Sequence, residues 1–264
     1  MIAGSKSSKC FMSFKRAFQI IAVVAALPLL NACSQDKSDP FQGYSADYIY
    51  AVGHDALQNG HWATALEAYQ SLDSQYPFNS YTQKGDLDSI YANYRDNESA
   101  LALTEAARYI KVYSTDTNGV AYAYYMMGVI NFDNGRGFLQ RYFPYQMSQH
   151  NAANYTTAYN DFNTVVISYP NSPYAPDARR RMIYINNVLA QFDMNVANFS
   201  YQQQAYVSAA NRAIDVILTH PTSPITEDAL AMMIKCYEKL GLPNLAASTR
   251  AVLELNYPDE TQKG

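Results

Sequence analysis

The sequence predicts an all-α protein, an α-α superhelix (solenoid) of about five helical hairpins. Three observations lead there. No stretch of the 264 residues sustains the apolar/polar alternation that a half-buried strand needs. Four amphipathic segments end alike, in Gln75-Tyr76-Pro77, Ser168-Tyr169-Pro170, Thr219-His220-Pro221 and Asn256-Tyr257-Pro258: a ring, then a proline that cannot continue a helix. Twelve, eight and five residues before those prolines stand Ala65, Tyr69 and Leu72; Ala158, Phe162 and Val165; Ala209, Ala213 and Val216; and Ala246, Arg250 and Leu253. Steps of four and three put each trio on one helix face.

The front end is a different object from the body. The first 32 residues hold Lys6, Lys9, Lys15 and Arg16 and no acid, whereas the rest carries 15 basic and 23 acidic residues. Lys15-Arg16 precede a 14-residue apolar run, Ala17 to Leu30. At 1.5 Å rise this spans about 21 Å, short of the roughly 30 Å hydrocarbon layer, so it reads as an export signal (1–32) and not as a permanent span. Leu30-Asn31-Ala32-Cys33 follows at once and resembles a bacterial lipobox, in which the cysteine thiol takes a covalent lipid and becomes the new N-terminus. Several acyl chains, at about 0.8 kcal/mol per buried methylene, anchor firmly where one would not. Cys33 is therefore the expected lipid-attachment site, carrying palmitate or a similar chain. Ser34, in place of Asp, favours sorting to the outer membrane by the same resemblance. Met12 stands just ahead of this unit and is an alternative start.

Residues 33–45 are polar, with Pro40 and Gly43 and no periodicity, as a flexible tether would be. The hairpins follow: two in 46–116, a third in 117–174 carrying an insertion at 133–153, two more in 175–259, and a tail at 260–264. The spacing resembles the tetratricopeptide repeat, a 34-residue helical hairpin. Twenty-four residues before the closing proline that repeat has a first-helix glycine, and here stand Gly53 and, in the last unit, Ile234. Gly60 and Gly241 fall between helices. The second unit has Ser114 where the proline belongs but keeps Ala102, Ala106 and Tyr109 in register. The third opens at Gly128 and closes eighteen residues late. Alanine at the crossing lets two backbones approach, and the aromatic four residues on fills the groove to the next hairpin. One hairpin cannot bury its own apolar face, so the units stack and leave a concave surface.

Little else in the chain points to chemistry. Apolar residues at 48% exclude a disordered chain, and a net charge of −4 argues against a nucleic-acid partner. Tyrosine is abundant: 24, against 11 Phe and one Trp, giving many rings that pack on one side and hydrogen-bond on the other. Once Cys33 is lipidated, Cys236 is the remaining candidate for a small core thiol, since Cys10 falls in the export signal. His54 and His61 lie seven apart, but no acidic or cysteine ligand completes a metal site, and no cofactor is expected. Glu98-Ser99 imitates the acid pair of periplasmic lytic transglycosylases, yet it sits where ordinary helix-start residues belong, and no enzyme is expected. Arg179-Arg180-Arg181 after Asp177 is either a solvated helix face or a docking patch for an acidic partner; Arg212 stays open in the same way. The insertion holds Phe138, Tyr142, Phe143 and Tyr145 around Pro144, rings for a lid or a contact surface.

Further matches lie between Cys33 and about Pro258: Gln75-Tyr76-Pro77-Phe78 with Tyr81 and Gln83, Leu87-Asp88-Ser89-Ile90-Tyr91-Ala92-Asn93-Tyr94, Tyr169-Pro170-Asn171-Ser172-Pro173-Tyr174, and Asn211-Arg212. With these the chain resembles the BamD family, lipoprotein subunits of the outer-membrane β-barrel assembly (BAM) complex. The family's insertion often carries Asp-Arg-Asp where this chain has Gln146 to His150. The resemblance implies a binding scaffold at the periplasmic face of the outer membrane. It implies unfolded outer-membrane proteins as partners of the N-terminal repeats, received by their aromatic-ended C-terminal signal. It implies the β-barrel insertase, through its periplasmic domains, as partner of the C-terminal repeats, along with other lipoproteins of the same machine. By position, Tyr76, Phe78 and Tyr81 become candidates for the substrate pocket, with Tyr76 equally readable as a helix-end packing ring. Arg212, with Arg180 and Arg181, becomes the candidate partner contact. The alternative is another periplasmic repeat lipoprotein that regulates peptidoglycan synthesis or envelope constriction.

Overall fold

The structure, a computed structural model, describes residues 39–135 and 149–258. The export signal, Cys33, the tail from 259 on, and the insertion's Phe138, Tyr142, Phe143, Pro144, Tyr145 and Gln146 lie outside the described residues. The chain divides at Gly43. Of the first unit, the described part is a short turn: Gln42 N–H donates to Asp39 O at 3.2 Å and Phe41 N–H to Asp39 Oδ1 at 2.9 Å.

From Tyr44 on, the described residues form ten helices and no strand: α1 Ala46–Gln58, α2 Trp62–Gln75, α3 Ser80–Arg95, α4 Ser99–Val112, α5 Thr117–Gly135, α6 Gln149–Ser168, α7 Ala175–Gln202, α8 Tyr206–Thr219, α9 Ile225–Lys239 and α10 Pro243–Asn256. Each packs on the next in sequence, pairing as α1/α2 through α9/α10, and the first helices of neighbouring hairpins also touch, α1 on α3, α3 on α5 and α7 on α9. That is the all-α repeat stack the sequence predicts.

Its core is built from the predicted trios. Ala65, Tyr69 and Leu72; Ala102, Ala106 and Tyr109; Ala158, Phe162 and Val165; and Ala209, Ala213 and Val216 are all buried. The close approach is visible at Gly53 and Gly128. A Cβ on Gly53 would stand 2.6 Å from Tyr69 Cε1, and one on Gly128 2.6 Å from Phe162 Cε1. In the last hairpin the pattern shifts. Arg250, in the aromatic's place, is exposed and pairs with Glu238 at 2.7 Å, while Thr249 is buried beside Ala246. Cys236 is a buried core thiol.

Two kinds of turn alternate. Between hairpins, the ring before the proline caps the helix with φ between −111 and −136°. Tyr113 does so too, followed by Ser114, because Asp116 N–H returns to Tyr113 O at 2.9 Å and closes the turn without a proline. Within hairpins the chain passes through a left-handed residue: Gly60 (φ 77°), Asn97 (65°), Gln204 (60°) and Gly241 (70°). The next N–H then reaches back five residues, His61 to Ala56 O at 2.9 Å and Leu242 to Tyr237 O at 2.9 Å, which is a Schellman closure.

Candidate protein-binding site

The first two hairpins bring one group of side chains together. On α3, Tyr81, Lys84 and Asp88 follow at steps of three and four and share a face. Opposite, on α1, stands Tyr50, its ring 5.5 Å from Tyr81 and 5.5 Å from His54. Tyr69 of α2 supports them from behind, 6.2 Å from Tyr50. Asp88 Oδ2 accepts from Tyr69 Oη at 3.0 Å and Tyr50 Oη at 3.3 Å and meets His54 Nδ1 at 3.1 Å. The Gln58 amide lies 2.9 Å from His54 Nε2, which fits a ring that donates to Asp88 and accepts from Gln58. Burial, then the charge of Asp88, pushes the Tyr50 phenol up to about 12, and the same causes raise Tyr69. Lys84 is exposed, with Nζ 5.3 Å from the Tyr81 ring centroid and 6.0 Å from that of Tyr50.

Around this cluster the three expected pocket residues part company. Tyr81 belongs to it. Phe78 stands fully exposed at the turn before α3. Tyr76 is half-buried and donates its phenol to Tyr44 O at 2.8 Å, tying the end of α2 to the entry of α1. The Tyr44 ring stacks on Tyr48 at 4.8 Å, and both are half exposed.

A second ring cluster spans α5 to α7. The Tyr174 ring lies 5.4 Å from Tyr122 and 5.2 Å from Tyr125, whose phenol donates to Asp177 at 2.8 Å. Arg181 Nε donates to the same carboxylate at 2.6 Å. Its guanidinium lies 5.9 Å from Tyr125, 5.6 Å from Phe132 and 5.9 Å from Phe162. Arg181 is thus turned onto the hairpin's rings, which its planar charge holds together. Arg180, one residue earlier, points outward and only grazes Asp177 at 3.3 Å. Arg212 is exposed on α8 and, among the described residues, makes no hydrogen bond or ion pair. With Gln204, Asn211 and Asp215 it lines an open groove of about 800 Å³. A smaller apolar groove, about 290 Å³, runs between α8, α9 and α10 past Ile217, Leu230, Met233 and Val252.

Glu98 is exposed in the turn before α4, and Ser99 opens that helix. His61 precedes α2 and stands apart from the His54–Asp88 contact. Among the described residues no group of His, Cys, Asp or Glu could hold a metal ion, and no helix is long and apolar enough to cross a membrane.

The family model described as "YfiO: Outer membrane lipoprotein" matches residues 43–253, the whole run of hairpins but the last few residues. The chain belongs to this family. Its relatives include proteins named outer membrane protein assembly factor BamD. That of Xylella fastidiosa is 33% identical over 249 residues, covering 94% of this chain and 85% of the relative. That of Pasteurella multocida is 34% identical over 241 residues, 91% of each chain. The Vibrio cholerae protein is 32% identical over 239 residues, 90% of this chain and 98% of its own. Against this YfiO/BamD background the residues that sequence reasoning missed are Tyr50, Asp88 and Lys84. A hairpin register could have found Tyr50, because it lies on a first helix, but the partners of Asp88 come from two other helices.

Proposed function

We propose that this chain is an assembly factor of the outer-membrane β-barrel assembly complex, a scaffold without turnover held at the outer membrane by lipid on Cys33. Its N-terminal hairpins receive unfolded outer-membrane proteins through an aromatic-ended C-terminal segment. Its C-terminal hairpins, through Arg212 and the exposed Arg180, dock on the insertase's periplasmic domains. Family membership supports the assembly role. The observation that carries the substrate reading is the facing pair Tyr50 and Tyr81, rings presented from two first helices beside a cation. Stacked hairpins present an extended peptide with just such a surface, where flat rings give contact area at low entropic cost.

The test is a titration of the lipid-free chain with a labelled peptide copying the C-terminus of an outer-membrane protein. Tyr81→Ala weakens binding at least fivefold with helicity unchanged, whereas Phe78→Ala, fully exposed, has the smaller effect. Equal affinities for Tyr81→Ala and the parent would remove the reading. Arg212→Glu lowers co-purification of the insertase from detergent, and Cys33→Ser abolishes labelling by palmitate and frees the chain from the membrane fraction.

A further inference from the structure

Lys84 and Asp88 are one helical turn apart on α3, where opposite charges ordinarily pair. Here they do not. Asp88 turns to Tyr50, Tyr69 and His54, and among the described residues Lys84 meets no carboxylate. Its ammonium is held instead over Tyr81 and Tyr50, whose ring faces attract the cation and orient it without neutralising it. The result is an exposed positive charge with two flat rings beside it, on a body rich in acids.

Such a site recognises a carboxylate close to an aromatic or apolar side chain. In a polypeptide, the residue that carries a ring and a carboxylate on one Cα is an aromatic residue at the C-terminus. We propose that Lys84 is the specificity residue of this site: it pairs with the terminal carboxylate of the bound chain while the terminal ring lies against Tyr81 and Tyr50. This rests on the substrate reading above and sharpens it, for it makes the site a reader of free chain ends and not of internal aromatic segments. Charge-assisted pairing beside apolar walls is stronger than the same pairing in open water.

The experiment uses three peptides of one sequence ending in Phe: the free acid, the C-terminal amide, and the amide with Asp in the penultimate position. The parent chain binds the free acid about tenfold more tightly than either amide. Lys84→Gln, an exposed and volume-conserving change, lowers the free acid to the affinity of the amides and leaves the amides unchanged. Equal binding of acid and amide by the parent overturns the inference while the substrate reading stands. A preference that survives Lys84→Gln does the same, as does an amide with penultimate Asp that binds like the free acid. If the parent binds none of the three, the substrate reading itself fails and takes the inference with it.

Discussion

Tyr69 of α2 donates its phenol to Asp88 of α3 at 3.0 Å, so one carboxylate joins the first hairpin to the second. Asp88 also takes the Tyr50 phenol, which burial and this charge push up to about 12, and Tyr69 moves the same way. An unfolded tyrosine titrates near 10. The folded chain therefore holds more protons than the unfolded one between about pH 10 and 12. The stability these phenols contribute is complete below about 10 and is lost as pH rises toward 12. Urea midpoints are expected to stay level from pH 7 to 9 and fall above 10. Tyr50→Phe makes that fall shallower, and Asp88→Asn more so, because it removes the negative charge from both phenols. Tyr94 and Tyr113, pushed up to about 12 as well, keep some slope in both variants.

Close helix crossing sets the next expectation. A methyl on Gly53 or Gly128 would meet an aromatic ring carbon at 2.6 Å, and a buried ring cannot swing aside as a chain end can. Gly128→Ala and Gly53→Ala each cost about 1–3 kcal/mol by overpacking, read as a lower urea midpoint with an unchanged slope.

Gly241 separates sterics from backbone conformation. Its φ is 70° and a Cβ there would meet nothing within 4 Å, so Gly241→Ala carries only the left-handed strain, about 1–2 kcal/mol. Gln204 occupies the matching turn with φ 60° and already bears that strain. Gln204→Gly is expected to leave stability level or raise it by up to about 1 kcal/mol, and Gln204→Asn to raise it slightly, as asparagine tolerates this region.

The stack itself was legible because its signals are local. A proline after a ring, and small and large side chains at steps of four and three, follow from one hairpin's geometry and need no knowledge of neighbours. Ala102, Ala106 and Tyr109 held register even where Ser114 replaced the proline, since the trio is set by helix crossing and the proline only ends a helix. The left-handed turns were half legible: Gly60 and Gly241 announce themselves, whereas Asn97 and Gln204 take the same conformation because the Schellman closure needs it. The site was less readable. Asp88 inside a helical run looks like a solvated acid until the fold delivers Tyr50, Tyr69 and His54 from two other helices. Tyr76, open between pocket and packing roles, spends its phenol on Tyr44 O.

Arg180 and Arg181 are adjacent in sequence and about 100° apart around α7, and that rotation separates their roles. Arg181 pairs with Asp177 at 2.6 Å and covers three rings from α5 and α6, while Arg180 is 77% exposed in its side chain. Burial opposes charge on Asp177, but hydrogen bonds from Arg181 and Tyr125 outweigh it and hold the carboxyl below its ordinary value. A depressed carboxylate contributes stability above about pH 4 that is lost as pH falls through its folded value. Arg181→Ala removes the pair and the ring cover together and is expected to cost about 1–3 kcal/mol, kept modest because both partners remain about a third exposed. Arg181→Lys recovers only part of this, for an ammonium lacks the planar fork that stacks on rings. Arg180→Ala stays within about 0.5 kcal/mol. Thermal unfolding at pH 7 and pH 3 distinguishes them: the gap between parent and Arg181→Ala narrows at pH 3, below the ordinary aspartate range of about 4 where an unfolded Asp177 takes up its proton, whereas Arg180→Ala tracks the parent at both.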